Sequence, residues 1–459
     1  MNLLDPLYAA LALATAPWWA RKARGGWAER FGRIGAVGDR AGADGGRMRR
    51  LLIHTVSVGE TAAVRELVPL LTPHAQVIVS ATTDTGLKRA RELYGASCDV
   101  VRYPLDASWA VRRFLDATRP DAVALVELEV WPNFLAACRR RGIPACIING
   151  RLSERSFRGY RRLRPFLRRM FGSLAFVGAQ DEAYAGRFRQ MGVAPEQCRV
   201  TGSMKWDTAR IEDEVPGADG LAREMGIARG PGAPPLVVAG STAEGEEALL
   251  HAACPPGVQL LCAPRKPERF DEAAAALPGC VRRSSPTGGT PVPPGTVGAA
   301  APARFLLDTI GELRRAYALA DIAVIGRTFG GPGGEGGSDP IEPIGLGKAT
   351  VVGPAAANFA AIIGTFERGG GLVRVTRETL GPTLARLLAD GAERERLAAR
   401  GRDVIREHQG ASRRHAGMLL ELLGIAAPPM APGGRCSSGA SAAPAPSAPP
   451  RPPTIQVRP

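Results

Sequence analysis

The sequence is poor in the residue types on which several kinds of site depend. Only 5 of its 459 residues are histidine, and aromatic side chains make up 5%. The eight cysteines include no C-x-x-C pair, and they lie at Cys98, Cys138, Cys146, Cys198, Cys254, Cys262, Cys280 and Cys436. This spacing argues against a zinc site or a disulfide framework and indicates buried thiols in a reducing compartment. His54 lies inside an apolar run and is expected to be a core residue, which argues against histidine catalysis.

Acidic residues are fewer than basic residues in this chain. The chain has 59 Lys and Arg against 44 Asp and Glu, a formal net charge of +15 and a pI near 10.1. This excess predicts attraction to an anionic partner, which could be nucleic acid, an acidic membrane surface or a phosphorylated substrate. A hydrophobic content of 45% is typical of a globular protein. Because 459 residues exceed what one core usually supports, we expect two domains with a cleft between them.

The N-terminus predicts a membrane anchor over residues 1–22. Residues 3–20 are mostly apolar, although Asp5 and two prolines interrupt them, so the segment could span the bilayer or lie half buried in it. An aromatic pair and basic residues follow, as expected where a segment leaves the membrane on the cytoplasmic side: Trp18, Trp19, Arg21, Lys22 and Arg24. No basic stretch precedes the run, so a cleaved signal peptide is not expected. The alternative is a buried amphipathic first helix.

The rest of the chain alternates between apolar runs and helix-like stretches, which is typical of repeated βα units in a parallel sheet. Six runs lie at 51–56, 76–80, 98–102, 121–126, 144–148 and 174–179, and six more lie at 236–241, 258–265, 305–308, 321–326, 349–354 and 371–375. We therefore predict two α/β doubly wound, Rossmann-like domains facing a cleft. Their bounds are 23–212 and 236–425, with a linker at 213–235 and a disordered Pro/Ala-rich tail at 426–459.

Glu60 lies at the mouth of this predicted cleft. It follows the first apolar run through the turn Ser-Val-Gly and opens a helix. A helix N-terminus favours an ionised acid, and such an acid could take a proton from an attacking hydroxyl. The alternative from spacing alone is a helix-capping glutamate without chemistry.

A dense basic stretch lies between residues 139 and 169. It holds eleven arginines, at 139, 140, 141, 151, 155, 158, 161, 162, 164, 168 and 169, and one acid, Glu154. Arginine is suited to bidentate phosphate contact, so the stretch could lie against anionic headgroups or lipid phosphates. RNA binding is the competing hypothesis. Since no RNP-like pattern or other nucleic-acid module is present, we predict lipid phosphate and no nucleic-acid partner.

A series of motifs resembles the 3-deoxy-D-manno-octulosonic acid (Kdo) transferase family. The first half carries HTVSVGE (54–60), SATTDTG (80–86), the segment 103–133 with VELEVWPN, NGRLSERSFRGY (149–160), AQDEAYAGRFRQMGV (179–193) and VTGSMKWD (200–207). The second half carries GSTAEGEE (240–247), APRKPERF (263–270), GELRRAYALADIAVIGR (311–327), GGSDPIEP (336–343) and GPAAANF (353–359). The resemblance runs from the anchor to about residue 425 and implies the two-domain GT-B fold.

The resemblance also implies a function. Kdo transferases move Kdo from CMP-Kdo to a lipid A precursor in lipopolysaccharide biosynthesis, which implies an inverting enzyme at the cytoplasmic face of the inner membrane. The family's catalytic base falls on Glu60. CMP-Kdo is a substrate, so no cofactor is implied, and no metal is implied either.

Further residues are expected to bind the two substrates. The expected donor-binding residues are Gly240, Ser241, Arg265, Lys205, Gly336, Gly337, Glu342 and Asn358, with backbone N–H groups around Gly240 and Ser241 as further phosphate donors. The expected acceptor-binding residues are Glu127, Arg151, Arg155 and Arg158. Glu127 and Glu129 alternate along a strand end, so one should face the cleft while the other packs, and we favour Glu127 for the site.

The chain departs from the family pattern in the donor domain. Ser338 and Asp339 stand where the family has His and Asn, and Lys266 and Ala243 stand where it usually has His. An acidic Asp339 would repel a donor phosphate or carboxylate unless a neighbour such as Arg327 compensates. Two alternatives to Kdo transfer follow: a catalytically silent membrane-bound protein, or a GT-B transferase that uses a different sugar nucleotide.

Overall fold

The first seven strands form one parallel sheet. A computed structural model describes residues 25–42, 45–285, 303–331 and 336–426 of the chain. The strands are β1 (Arg50–Thr55), β2 (Gln76–Ala81), β3 (Asp99–Arg102), β4 (Ala122–Val126), β5 (Ala145–Gly150), β6 (Val177–Ala179) and β7 (Cys198–Val200). Their order is β3-β2-β1-β4-β5-β6-β7. The order reverses between β1 and β4, which places a crevice at the carboxyl ends of these two strands.

A second parallel sheet repeats this arrangement. Its strands are β8 (Leu236–Thr242), β9 (Gln259–Pro264), β10 (Val281–Arg282), β11 (Arg304–Leu306), β12 (Ile322–Ile325), β13 (Ala349–Val352) and β14 (Val373–Arg374). The order is β10-β11-β9-β8-β12-β13-β14, and β8 and β12 pair in parallel at the reversal. The predicted α/β class with two doubly wound domains is thereby confirmed.

Helices cover both faces of both sheets. In the first half they are α1 (Trp27–Arg30), α2 (Val58–Ala63), α3 (Val68–Leu71), α4 (Asp84–Tyr94), α5 (Ser108–Thr118), α6 (Pro132–Arg140), α7 (Glu154–Arg162), α8 (Arg164–Phe171) and α9 (Glu182–Met191). In the second half they are α10 (Ala218–Met225), α11 (Glu246–Ala253), α12 (Phe270–Ala275), α13 (Leu313–Leu319), α14 (Ile341–Gly345), α15 (Ala360–Arg368), α16 (Arg377–Ala389), α17 (Gly391–His408) and α18 (Ala411–Leu422). Short 3₁₀ turns lie at Pro195–Gln197, Trp206–Thr208, Pro267–Arg269 and Ala357–Phe359.

The central strands are buried along their whole length because helices cover both of their faces, although β1 also carries the polar residues Arg50, His54 and Thr55. Every residue of β1, β2, β4 and β5 is buried. His54 of β1 is one of them: its ring stacks on Tyr103 with centroids 3.6 Å apart, and burial lowers its pKa to about 3. The expectation that His54 is a core residue is confirmed.

The chain passes between the two domains at two places that lie against each other. Met204 is buried in a core cluster of the first sheet, whereas Trp206 is buried in a cluster of the second. The Asp207 carboxylate accepts hydrogen bonds from the backbone N–H of Gly410 and of Ser412, both at 2.5 Å. The two crossings are therefore joined at the start of α18.

Helix α18 returns to the first domain. Its buried residues pack in a core cluster with β1, β2 and β4. His415 on this helix is fully buried, and its Nε2 lies 3.1 Å from the Asn149 backbone N–H and 3.0 Å from Thr201 Oγ1. The predicted division assigned residues up to 425 to the second domain, whereas this last helix packs against the first.

Two predicted segments, the anchor over 1–22 and nearly all of the tail over 426–459, lie outside the described residues. Within the part of the chain that is described, no helix is both long enough and apolar enough to cross a bilayer.

Candidate active site

Glu60 and Ser57 form the centre of the first domain's site. Ser57 is the N-cap of α2, and its Oγ accepts a hydrogen bond from the Glu60 backbone N–H at 3.3 Å. In return Ser57 Oγ donates to Glu60 Oε1 at 2.9 Å, while the Val56 backbone N–H donates to Oε2 at 2.8 Å. Partial burial raises the pKa of Glu60, and these hydrogen bonds oppose that rise. The carboxylate is therefore held rigidly and has a higher proton affinity than an exposed glutamate.

Two more carboxylates lie near Glu60. Glu127 follows β4 with a φ of 60°, a left-handed conformation that is uncommon for residues other than glycine. Its charge contributes to the raised pKa of Glu60. Glu129 accepts a hydrogen bond from Trp131 Nε1 at 3.0 Å, and burial, with repulsion from Glu60, raises the pKa of Glu129 to about 7. The structure thus brings both Glu127 and Glu129 within electrostatic range of Glu60.

The three predicted acceptor-side arginines divide into two groups. The backbone N–H of Arg151 donates to the carbonyl of Glu127 at 3.3 Å, and a hydrogen bond with Tyr184 raises the pKa of the Arg151 guanidinium. Arg155 and Arg158 are exposed on α7, where Arg158 donates to Glu154 at 3.0 Å. Arg151 therefore joins the carboxylate group, whereas Arg155 and Arg158 belong to an outer surface.

The second domain carries a pocket of about 440 Å³ at the carboxyl ends of β8 and β12. Four of the predicted donor-binding residues line it: Ser241, Arg265, Gly337 and Glu342. Three further arginines also line it, namely Arg210, Arg314 and Arg327. A pocket lined by guanidinium groups at the switch point of a doubly wound sheet is suited to a phosphorylated nucleotide.

Three of the remaining predicted donor residues shape this pocket from behind, and the fourth, Lys205, does not line it. A Cβ on Gly240 would lie 1.9 Å from the Tyr317 hydroxyl oxygen, so only glycine fits beneath that ring. Gly336 has a φ of 110°, and the Asn358 backbone N–H donates to its carbonyl at 3.0 Å. Gly240, Gly336 and Asn358 thus fix the pocket walls, although none of them lines it.

Two acids face the pocket. Glu342 lies 3.5 Å from Arg314, which also pairs with Glu212 at 2.8 Å; burial raises the pKa of Glu342 and Arg314 opposes the rise. The Asp339 side chain is exposed towards the pocket. The surrounding protein nevertheless displaces part of the water around its carboxylate, and this desolvation raises the pKa of Asp339. Lys205 opposes this rise, whereas the sequence had pointed to Arg327 as the compensating cation.

Sequence reasoning did not single out Arg314, Tyr317 or Arg210. The first two lie three residues apart in the GELRRAYALADIAVIGR motif, and helical spacing places such a pair on one face of α13. That spacing is a usable signal. Arg210 lies just before the linker and offers no local signal, because only the packing of the two domains brings it to the pocket.

Within the described residues, no group of three or more His, Cys, Asp or Glu side chains could hold a metal ion.

Two parallel α/β domains with a cation-lined pocket at the strand ends resemble the fold of GT-B glycosyltransferases. A solved glycosyltransferase from Rickettsia africae has this fold, with a TM-score of 0.53 and 10% identity over 82% of this chain and 99% of that one.

A family model described as "3-Deoxy-D-manno-octulosonic-acid transferase (kdotransferase)" matches residues 25–208. The 3-deoxy-D-manno-octulosonic acid transferase of Bordetella pertussis is 34% identical over 430 residues, which cover 88% of this chain and 94% of the relative. That of Haemophilus influenzae is 31% identical over 391 residues, 81% of this chain and 86% of the relative. The chain therefore belongs to the Kdo transferase family.

Proposed function

We propose that this enzyme transfers Kdo from CMP-Kdo to a lipid A precursor, with inversion at the anomeric carbon and with Glu60 as the general base. The observation that carries the proposal is the Glu60 carboxylate, held by Val56 and Ser57 at the carboxyl edge of the first sheet. Membership of the Kdo transferase family supports the sugar and its place in lipopolysaccharide biosynthesis.

The base step requires an ionised carboxylate with a spare lone pair. Val56 donates to one Glu60 oxygen and Ser57 to the other, and each oxygen keeps further acceptor capacity for an acceptor hydroxyl. Burial and the charge of Glu127 raise the proton affinity of Glu60, which makes it a stronger base than an exposed glutamate. The proton passes to Glu60, the hydroxyl oxygen bonds to the anomeric carbon, and the electron pair of the broken C–O bond leaves with CMP.

The leaving phosphate gains negative charge as the bond breaks, so it needs cationic donors close by. We assign this role to Arg265 and Arg327, which line the pocket beside Ser241. Glu342 is assigned to the ribose hydroxyls, with Arg314 holding its carboxylate. CMP-Kdo is a substrate in this scheme, and no cofactor or metal takes part.

The anionic membrane contact is assigned to an α7–α8 surface, defined as the exposed side chains of residues 155–169. It carries seven exposed arginines (155, 158, 161, 162, 164, 168 and 169). Between them, Leu163 is 54% exposed and Phe166 is 83% exposed. Exposed apolar side chains amid arginines suit the interface of an anionic bilayer. This surface would hold the enzyme at the cytoplasmic face of the inner membrane, where the lipid acceptor lies.

The test is transfer of Kdo from freshly generated CMP-Kdo to a tetra-acylated lipid A precursor, read by mass spectrometry, with the anomeric configuration read by NMR. We expect product from the wild type, and a loss of about 10²-fold to 10⁴-fold in Glu60→Gln. Glu66→Gln, a nearby glutamate of the same segment, is the matched control and should retain activity.

Absence of transfer by wild-type protein that still binds the lipid would refute Kdo transfer and direct attention to other sugar nucleotides. The same absence of transfer with every sugar nucleotide would support a silent protein. Retention of activity by Glu60→Gln would remove the base assignment and leave the glutamate as a helix cap.

A further inference from the structure

A buried carboxylate lies directly behind the donor pocket. Glu246 is the first residue of α11, and none of its surface is exposed. Four backbone N–H groups donate to it: Ala243 (2.9 Å) and Arg327 (2.7 Å) to Oε2, and Thr328 (2.9 Å) and Phe329 (3.1 Å) to Oε1. Because a buried charge without such partners would be strongly unfavourable, this set of donors is what permits Glu246 to lie there.

Three of these donors belong to the loop that follows β12. Arg327 has a φ of 60°, which is a strained backbone conformation for a residue other than glycine. Its carbonyl accepts a hydrogen bond from Gly337, and the Thr328 carbonyl accepts one from Ala355, at 2.9 and 2.7 Å. Glu246 thus holds the loop after β12, and this loop is in turn hydrogen-bonded to the pocket residue Gly337 and to Ala355.

This arrangement changes what can bind a phosphate. Backbone N–H groups at the end of a strand are common anion sites, and the sequence pointed to those around Gly240 and Ser241. In the structure the Ala243 amide of that turn donates to Glu246, as do the amides of the β12 loop. These four amides are thus already used by Glu246, and Arg327 is the pocket arginine whose backbone Glu246 holds.

We propose that Glu246 is a positioning residue: it fixes the strained backbone of Arg327 and so directs that guanidinium to the donor phosphate. The proposal rests on the assignment of this pocket to CMP-Kdo. The neighbouring Glu247 does not share this role. It is equally buried, but it pairs with Arg269 at 2.9 Å and accepts a hydrogen bond from Thr242 Oγ1 at 2.6 Å. Glu247 does not hold the β12 loop through these contacts.

The first experiment measures CMP binding by calorimetry and the KM for each substrate in Glu246→Gln and Glu247→Gln. In the glutamine variant at 246, one oxygen becomes an NH₂ group, so two of the four N–H donors lose their acceptor whichever way the amide turns. We expect CMP affinity to fall, and donor KM to rise, by about tenfold or more, with the KM for the lipid unchanged. Glu247→Gln should keep the CMP affinity of the wild type even where its thermal stability falls.

The proposal is overturned by unchanged CMP affinity in a folded Glu246→Gln, or by an equal loss in Glu247→Gln, which would indicate general loosening of the domain. If Glu246→Gln does not fold, Arg327→Ala decides: wild-type CMP affinity in that variant rejects the role given to its guanidinium. In folded proteins the double variant should bind CMP no more weakly than Arg327→Ala alone, because Glu246 acts through Arg327. A wild type that transfers no Kdo and binds no CMP would instead refute the proposed function itself.

Discussion

Ser57 and Glu60 cap each other at the start of α2. Ser57 Oγ donates to Glu60 Oε1 at 2.9 Å and accepts from the Glu60 backbone N–H at 3.3 Å. The sequence left open whether Glu60 is a helix cap or a base, and this geometry makes the two roles compatible. The cap holds the carboxylate in place, while partial burial raises its pKa.

Removal of the Ser57 hydroxyl should shift the pH dependence of transfer. The hydrogen bond from Ser57 favours the ionised carboxylate, so Ser57→Ala should raise the pKa of Glu60 further. The ascending limb of kcat/KM, which follows ionisation of the base, then moves to higher pH. Loss of the N-cap should also lower stability by about 1 kcal/mol. Ser57→Thr keeps a hydroxyl and is the control; an identical limb in Ser57→Ala would argue that Glu60 is not the titrating base.

Neutralising Glu129 should stabilise the protein at high pH. Its folded pKa of about 7 exceeds the ordinary value of about 4.3, so the native state keeps a proton that the unfolded chain releases. Wild-type stability therefore falls as pH rises through this window and stays low above it. The free energy of unfolding of Glu129→Gln, measured relative to that of the wild type, should be roughly 1 to 3 kcal/mol higher at pH 8 than at pH 4. Denaturant unfolding measures this, with the exposed Glu92→Gln as control, and a pH-independent difference would contradict it.

Asp339 should weaken donor binding in a pH-dependent way. Its carboxylate faces the pocket and repels an anionic donor. Because its pKa is raised, this carboxylate is protonated at a higher pH than an ordinary aspartate. We expect Asp339→Asn to lower the donor KM by roughly threefold to tenfold at pH 7.5, on the scale of a partly screened like charge. The wild-type donor KM should fall as pH decreases, while that of the variant stays flat. Asp219→Asn, at an exposed position of α10, is the control; a higher KM in Asp339→Asn would mean that the carboxylate accepts a donor hydroxyl.

Charge reversal on the α7–α8 surface should weaken membrane binding. Each arginine near an anionic bilayer contributes about 1 kcal/mol, so Arg155→Glu with Arg158→Glu should lower partitioning to phosphatidylglycerol vesicles by roughly tenfold or more. Phe166→Ser should lower it further through lost apolar contact. High salt should remove the effect of the two arginines and spare that of Phe166. Reversal of Arg396 and Arg400, which are exposed on α17, is the matched control, and equal losses there would reject a specific membrane face.

The strands could be predicted from the sequence because parallel sheets are covered on both faces, so that each central strand carries a run of mostly apolar residues. Each of the twelve predicted apolar runs overlaps a strand of the structure. The two strands that were missed, β7 and β10, are edge strands of three and two residues, and most of their residues are not buried. Neither of these two strands was marked by an apolar run, whereas the equally short edge strand β14 lies in the run at 371–375.

The sequence by itself determined the two-domain α/β class, the place of Glu60 at a strand-to-helix turn, and four of the residues that line the pocket of the second domain. These features depend on local pattern: apolar runs, turn residues and helical spacing. The tertiary structure alone decided that Glu127 and Glu129 both act on Glu60, that Glu246 takes the backbone amides behind the pocket, and that α18 returns to the first domain. Each of these depends on contacts between residues far apart in the chain, such as Asn149 and His415, whose meeting only the packing of the two sheets and their helices establishes.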